Sequence, residues 1–161
     1  MYLFSPTEDT WHVSVYTSDT RGAGTDANVL LVAYGKSYNK NKEITYHKSD
    51  EVRLENKGDN FESGQVDKMK VEFEKIGTPY KIRIGHDNSG AFAGWHLDRV
   101  EMTNMATNRT YTFKCNRWLA TDEDDGSIVR ELPAEGEDIK KPQPCKFSAV
   151  LVLWYQNSNS I

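Results

Sequence analysis

Only two cysteines, Cys115 and Cys145, occur in 161 residues. That is too few for a disulfide framework, and neither sits in a CxxC or Cys/His spacing that would hold zinc. A basic excess is missing too. The formal net charge is −4, which excludes the electropositive footprint of a nucleic-acid binder and makes the long-range force toward anionic lipid repulsive. The longest apolar stretch, Phe147 to Tyr155, falls far short of the roughly 20 residues a bilayer crossing needs. The opening MYLFSPTEDT has neither the basic residues nor the apolar run of a signal peptide. The expected compartment is therefore the cytoplasm, unless the module is cut from a larger secreted chain. Catalytic signatures are absent as well: no GxSxG elbow, no P-loop, and no HxH or HExxH among His12, His47, His86 and His96.

What remains is a globular composition, 37% hydrophobic and 27% charged, in a chain long enough to bury a core without staples. Its dominant period is two. Val13, Val15 and Thr17 alternate with His12, Ser14 and Tyr16; Met69, Val71 and Phe73 alternate with Lys68, Lys70 and Glu72. Tyr80, Ile82 and Ile84, and then Tyr111, Phe113 and Cys115, repeat the pattern. Such segments place apolar side chains on one face and charge on the other, as half-buried antiparallel strands do. Asn28 to Tyr34 is a nearly continuous apolar run, which suits a central strand. Between Trp95 and Met102 the period slips, because Trp95 and Leu97 are followed by Val100 and Met102. One extra residue near Asp98 resets the register, so a β-bulge is predicted there.

Turn signals at Arg21–Gly24, Asn56–Asp59, Asp87–Gly90 and Asp125–Gly126 divide these segments. No window carries a long helical stripe. About eight short strands separated by polar turns predict an all-β, two-sheet antiparallel β-sandwich. The expected layout is an N-terminal tail over 1–9, the sandwich over 10–132 and a Pro-rich, charged linker over 133–145. Residues 146–161 read either as an extra strand or as a C-terminal extension.

Four ordered motifs resemble the PLAT (lipoxygenase-homology) family. WHVSVYTSDTRGAGTDANV (11–29) looks like the family's first strand, Gly-rich turn and entry to the second strand. FESGQVDKMKV (61–71) looks like its F-x-x-G-x-x-D segment. YKIRIGHDNSGAFAGWHLDRVEM (80–102) resembles its HDN loop and W-x-L-x-x-V strand, and YTFKCNRWL (111–119) its F-x-C-x-x-W-L element. The resemblance is nearer to the tandem-repeat members of hair-cell stereocilia than to the polycystin type. It implies an eight-stranded sandwich without catalysis of its own, a monomeric module in a larger chain that is peripheral at the plasma membrane.

The same resemblance implies calcium as a ligand. In calcium-binding relatives one loop supplies an acid, an Asn, a Gly carbonyl and a second acid. Those positions here are Glu55, Asn56, Gly58 and Asn60, joined by Thr25 from the first loop. Calcium takes about six to eight oxygens, and carbonyls serve as well as carboxylates. Asn60 stands where Asp is expected, so the cage lacks one charge and weak affinity is expected. A further site is expected to use the carbonyls of Gly22 and Gly24 with the Asp87–Gly94 loop. Without the resemblance, these loops read as ordinary Asx-turns.

For membrane contact, Phe92 stands among small residues in Gly90–Gly94, and Tyr38 lies near Tyr34, Lys36, Lys40 and Lys42. Trp95 and Trp118 match packing positions of the family, and Cys115 reads as a small core residue. The run Asp122–Asp125 reads as a solvated loop. Three functions follow: a calcium-assisted module docking onto membrane lipid, a calcium-independent module that contacts a protein partner and links membrane to cytoskeleton, or an accessory domain that delivers a catalytic domain to lipid substrate.

Overall fold

The computed structural model describes residues 8–135. Nine strands follow one another: β1 (Glu8–Thr17), β2 (Val29–Tyr38), β3 (Ile44–Lys48), β4 (Val52–Leu54), β5 (Val66–Glu74), β6 (Thr78–His86), β7 (Trp95–Asn104), β8 (Thr110–Leu119) and β9 (Val129–Pro133). One sheet runs β5-β1-β7-β8 and the other β3-β2-β6-β9, with β4 continuing the edge of β2 that β3 begins. All pairings are antiparallel. This is the two-sheet sandwich that the alternation predicts. No helix long and apolar enough to cross a membrane occurs among the described residues.

Alternation explains the core. Trp11, Val13 and Val15 of β1 are buried with Leu31 and Ala33 of β2, Ile82 and Ile84 of β6, and Trp95, Leu97, Val100 and Met102 of β7. Their removal from water at about 25 cal/mol per Å² is the main force that joins the sheets. The bulge expected at Asp98 is present: Leu97 and Arg99 face the adjacent residues Thr17 and Tyr16 of β1. It spreads into β8, where Arg99 pairs with Lys114 but Leu97 with Arg117. Asn116 takes up that second extra residue at φ 50°, a left-handed conformation that Asn tolerates.

Two expectations change. Trp118 is only half-buried: Leu119 takes the inward position, so its neighbour faces outward, in edge-on contact with the His96 ring at 5.1 Å between centroids. Cys115 is half-buried against the core rather than inside it, and that burial pushes its thiol above its usual pKa.

The sandwich is closed along one side. Thr112 of β8 and Glu135, just beyond β9, exchange backbone hydrogen bonds of 2.9 and 2.7 Å. Ala134 also donates to the Tyr80 carbonyl, so pairing continues past 132 into the expected linker. The remainder of that linker and the 146–161 extension lie outside the described residues. Among the described residues, the sheets therefore keep unpaired edges at β5 and at β3 with β4. Four connections, 18–28, 55–65, 87–94 and 120–128, gather at the end where β1, β4, β6 and β8 finish.

Candidate functional site

Two clefts open among these four connections. The first, about 350 Å³, is lined by Thr25–Val29, Arg53–Asn56 and Gly58–Phe61. It brings together five of the expected calcium residues: Thr25, Glu55, Asn56, Gly58 and Asn60. The second, about 520 Å³, is lined by Arg21, Gly22, Asn88, Gly90–Gly94, Trp118 and Ala120–Glu123. Of the two residues expected to form a further site with the 87–94 loop, Gly22 lines this second cleft with Gly90–Gly94, and Gly24 lines neither cleft.

The first cleft owes its shape to Asp67, the aspartate of the F-x-x-G-x-x-D segment, to which the motif alone assigns no role. It is 1% exposed. Its carboxylate accepts from Phe61 N at 2.8 Å and from Gln65 Nε2 at 2.7 Å, with Asn56 Nδ2 at 3.5 Å. A buried carboxylate must find such donors, and in finding them it fixes the 56–61 loop at both ends. Within that loop Asn56 Oδ1 accepts from Gly58 N at 2.8 Å, an Asx-turn. Asn60 Nδ2 lies 3.1 Å from the Gly58 carbonyl and 3.5 Å from the Asn56 carbonyl.

Two carbonyls thus converge on one electropositive group, while the Asn60 Oδ1 atom is buried without a partner among the described residues. An orphaned oxygen beside converging carbonyls is a cation-compatible arrangement. Glu55, Asp26 and Asp59 stand on the same cleft against a single base, Arg53, which pairs with Glu55 at 3.2 Å. The donor set therefore fits a hard cation such as calcium. The Thr25 hydroxyl is already committed, donating to Ala93 O at 2.8 Å and accepting from Ala27 N at 3.1 Å. It ties the first loop to the 87–94 loop. No three His, Cys, Asp or Glu side chains converge on one point among the described residues.

The first loop can lie this close only because of Gly24: a Cβ there would stand 3.0 Å from the Phe61 carbonyl oxygen. Asn28, Asp87 and Ser89 lock the third loop. Asp87 accepts from Ser89 Oγ at 2.6 Å and from Asn28 Nδ2 at 2.6 Å, and these donors hold its carboxyl well below the usual carboxylate range. His86 beneath is buried; its Nδ1 accepts from Asn88 N, so its Nε2–H donates to Leu119 O. From this platform Phe92 projects with 77% of its surface exposed, and its carbonyl accepts from Asp26 N at 3.0 Å.

Asp122–Asp125 lies exposed in a loop, as expected of a solvated run, and two of its four carboxylates are also paired. Arg117 makes a two-pronged pair with Asp124 at 2.6 and 2.7 Å, and Arg130 one with Asp125 at 2.7 and 3.0 Å. The Arg130 guanidinium also donates to Trp118 O. It lowers the Asp125 carboxyl to about 2. Tyr38, the other expected membrane contact, is 56% exposed but lies at the far end of β2. At ~3.3 Å per residue that is roughly 30 Å from the Phe92 loop, so the two do not form one tip.

The chain matches the PLAT/LH2 domain family over residues 11–130. It is 40% identical over 133 residues to the mouse lipoxygenase homology domain-containing protein 1, covering 83% of this chain and 6% of that protein. It is 31% identical over 119 residues to the human polycystin-1-like protein 3, covering 73% and 6%. The chain thus spans a small fraction of these curated relatives. Among solved structures, a coral 8R-lipoxygenase described as calcium-activated through a C2-like domain matches with a TM-score of 0.64 at 21% identity, covering 92% of this chain and 20% of that one.

Proposed function

Because the chain belongs to the PLAT/LH2 domain family, we propose that its four-loop end docks onto membrane lipid with the help of calcium and without catalysis. The observation that carries this reading is Phe92, a large aromatic left exposed on a loop fixed by hydrogen bonds on both sides. Burying a phenylalanine in the acyl region gains about 1.5–3 kcal/mol. That alone is weak, and a chain of net charge −4 approaches anionic headgroups uphill. Calcium bound by Glu55, Asn60 and the loop carbonyls would supply the missing positive charge beside the tip. Arg21, exposed on the same cleft as Phe92, adds a guanidinium suited to a lipid phosphate.

The same reading makes the chain one module of a longer tandem-repeat protein on the cytoplasmic side of the plasma membrane. The calcium-activated coral lipoxygenase, whose C2-like domain is named in that role, supports it by analogy of fold.

Co-sedimentation with phosphatidylcholine vesicles containing phosphatidylserine tests it. Binding is expected to require calcium and to weaken about tenfold in Phe92→Ala, the equivalent of roughly 1.4 kcal/mol. Binding that ignores a chelator removes calcium from the account; binding that ignores Phe92→Ala removes insertion.

A further inference from the structure

Away from the loop end, the two unpaired sheet edges are finished differently. Along β5 the outward row is Val66, Lys68, Lys70, Glu72 and Glu74, with Lys70 and Glu72 paired at 2.9 Å. Charge of both signs is how an edge is guarded against pairing. The outward row of β3 is Ile44, Tyr46 and Lys48, with Ile44 47% and Tyr46 66% exposed. Tyr46 stands edge-on to Tyr80 at 5.8 Å, and Tyr80 lies 6.4 Å from Tyr34. Lys36 approaches the Tyr38 ring at 5.9 Å, and Lys81, held by Glu131, lies 4.4 Å from the Tyr34 ring. An aromatic face flanked by lysines thus runs up to a bare strand edge.

Among the described residues, nothing pairs with the backbone of that edge. Asn39 N donates to Glu43 O, and Ser49 N donates to Ala33 O. In the register that pairs Tyr34 with Lys48 and Tyr38 with Ile44, these contacts mark the odd-numbered residues of β3 as the ones bonded to β2. Antiparallel pairs alternate. The N–H and C=O groups of Ile44, Tyr46 and Lys48 therefore point away from the sheet, on the same residues whose side chains make the aromatic face.

We propose that β3 is a docking edge for an extended, acidic segment of a partner protein, which adds to the sheet as a further antiparallel or parallel strand. Charge selects that partner. Residues 36–48 hold four lysines against one glutamate, a net of +3, in a chain whose total is −4. The outward main-chain groups supply register-setting hydrogen bonds, Tyr46 and Ile44 receive apolar side chains, and Lys48 and Lys36 receive carboxylates. A second copy of this chain is disfavoured, because it would set lysine against lysine. A lipid headgroup offers no ladder of donors and acceptors to match the edge. The inference is independent of calcium and of the loop end.

The test uses the full 161-residue chain on an array of peptides alternating Asp or Glu with Val, Ile, Leu, Phe or Tyr, beside the same peptides with Lys for each acid. The acidic peptides are expected to bind and the lysine peptides not to. The bound peptide should slow amide exchange at Ile44, Tyr46 and Lys48 by at least about tenfold, as new ladder bonds do. Tyr46→Pro removes one outward N–H at an edge position where proline is tolerated and is expected to abolish binding with an unchanged far-UV spectrum. Lys48→Glu keeps the backbone and is expected to lose the acidic peptides. No binding on the acidic array, equal binding of the lysine peptides, or protection at β5 in place of β3 overturns the proposal. So does the same protection induced by phosphatidylserine vesicles without peptide.

Discussion

The loop end and the β3 edge both expose aromatic side chains, but they support them in opposite ways. Phe92 stands alone on a platform in which nearly every neighbouring polar group is spoken for: Thr25 and Asp26 hold its loop from one side, and Asp87 with Ser89 and Asn28 from the other. Tyr46 lies near another ring, on a strand that among the described residues is bonded to β2 alone, with half its main-chain groups pointing away from the sheet. A rigid platform suits insertion into a fluid, featureless medium, where the protein must keep its own shape. An unfinished edge suits a partner that brings hydrogen bonds of its own. The exposed aromatics thus differ in kind, and the backbone beneath each tells them apart.

That contrast can be broken from the side of the platform. Asp67→Ala should have the largest effect, because it strands the buried Phe61 N–H and frees the 56–61 loop. A loss of about 2–3 kcal/mol is expected in urea denaturation, with calcium binding lost and peptide binding at β3 kept under conditions where the fold persists. A stability change within about 0.5 kcal/mol would show that Asp67 does not organise the loop. Next in size are the exchanged variants. Phe92→Ala should leave peptide binding at β3 untouched, and Tyr46→Pro should leave lipid binding untouched; loss of both activities in either variant would merge the two surfaces into one.

The smallest expected effect is a pH response. Asp87 and Asp125 are both held below the ordinary carboxylate range, Asp125 at about 2 through Arg130. A depressed carboxyl contributes stability that is fully present above its unfolded value of about 3.9 and is lost as pH falls through the folded one. Tryptophan fluorescence from Trp118, whose carbonyl Arg130 holds, should therefore stay flat from pH 7 to about 4 and change below it. A transition centred near pH 6 would implicate a histidine instead.

Much of the sandwich was legible because its core strands have one wet face, so period two survives in β1, β5, β6 and β8. The bulge at Asp98 was legible for the same reason, as a slip in that period. Its continuation at Asn116 was not, because the pattern of β8 had already faded at Cys115. The strand β3 offered only a short signal: Ile44 and Tyr46 alternate with Thr45 and His47, but over five residues and with neither face buried. At the site, the loops were visible as turns, and the family resemblance set Thr25 beside the 55–60 loop and Gly22 with Gly24 beside the 87–94 loop. Gly22 and Thr25 line different clefts accordingly, whereas Gly24 lines neither, which no sequence signal foretold. The role of Asp67 lay hidden in strand alternation, where a carboxylate at an inward position was the available clue. Asp124 and Asp125 are exposed as their run of acids suggests, but their pairing was not legible, because the partners Arg117 and Arg130 stand on two different strands.

The central claim is that Asn60 sits in a cation cage short of one carboxylate. Calorimetric titration of calcium into the wild-type chain and into Asn60→Asp tests it most directly. The account predicts weak binding to the wild type and binding tighter by about tenfold, or roughly 1.4 kcal/mol, in Asn60→Asp. No calcium heat in either protein would contradict it.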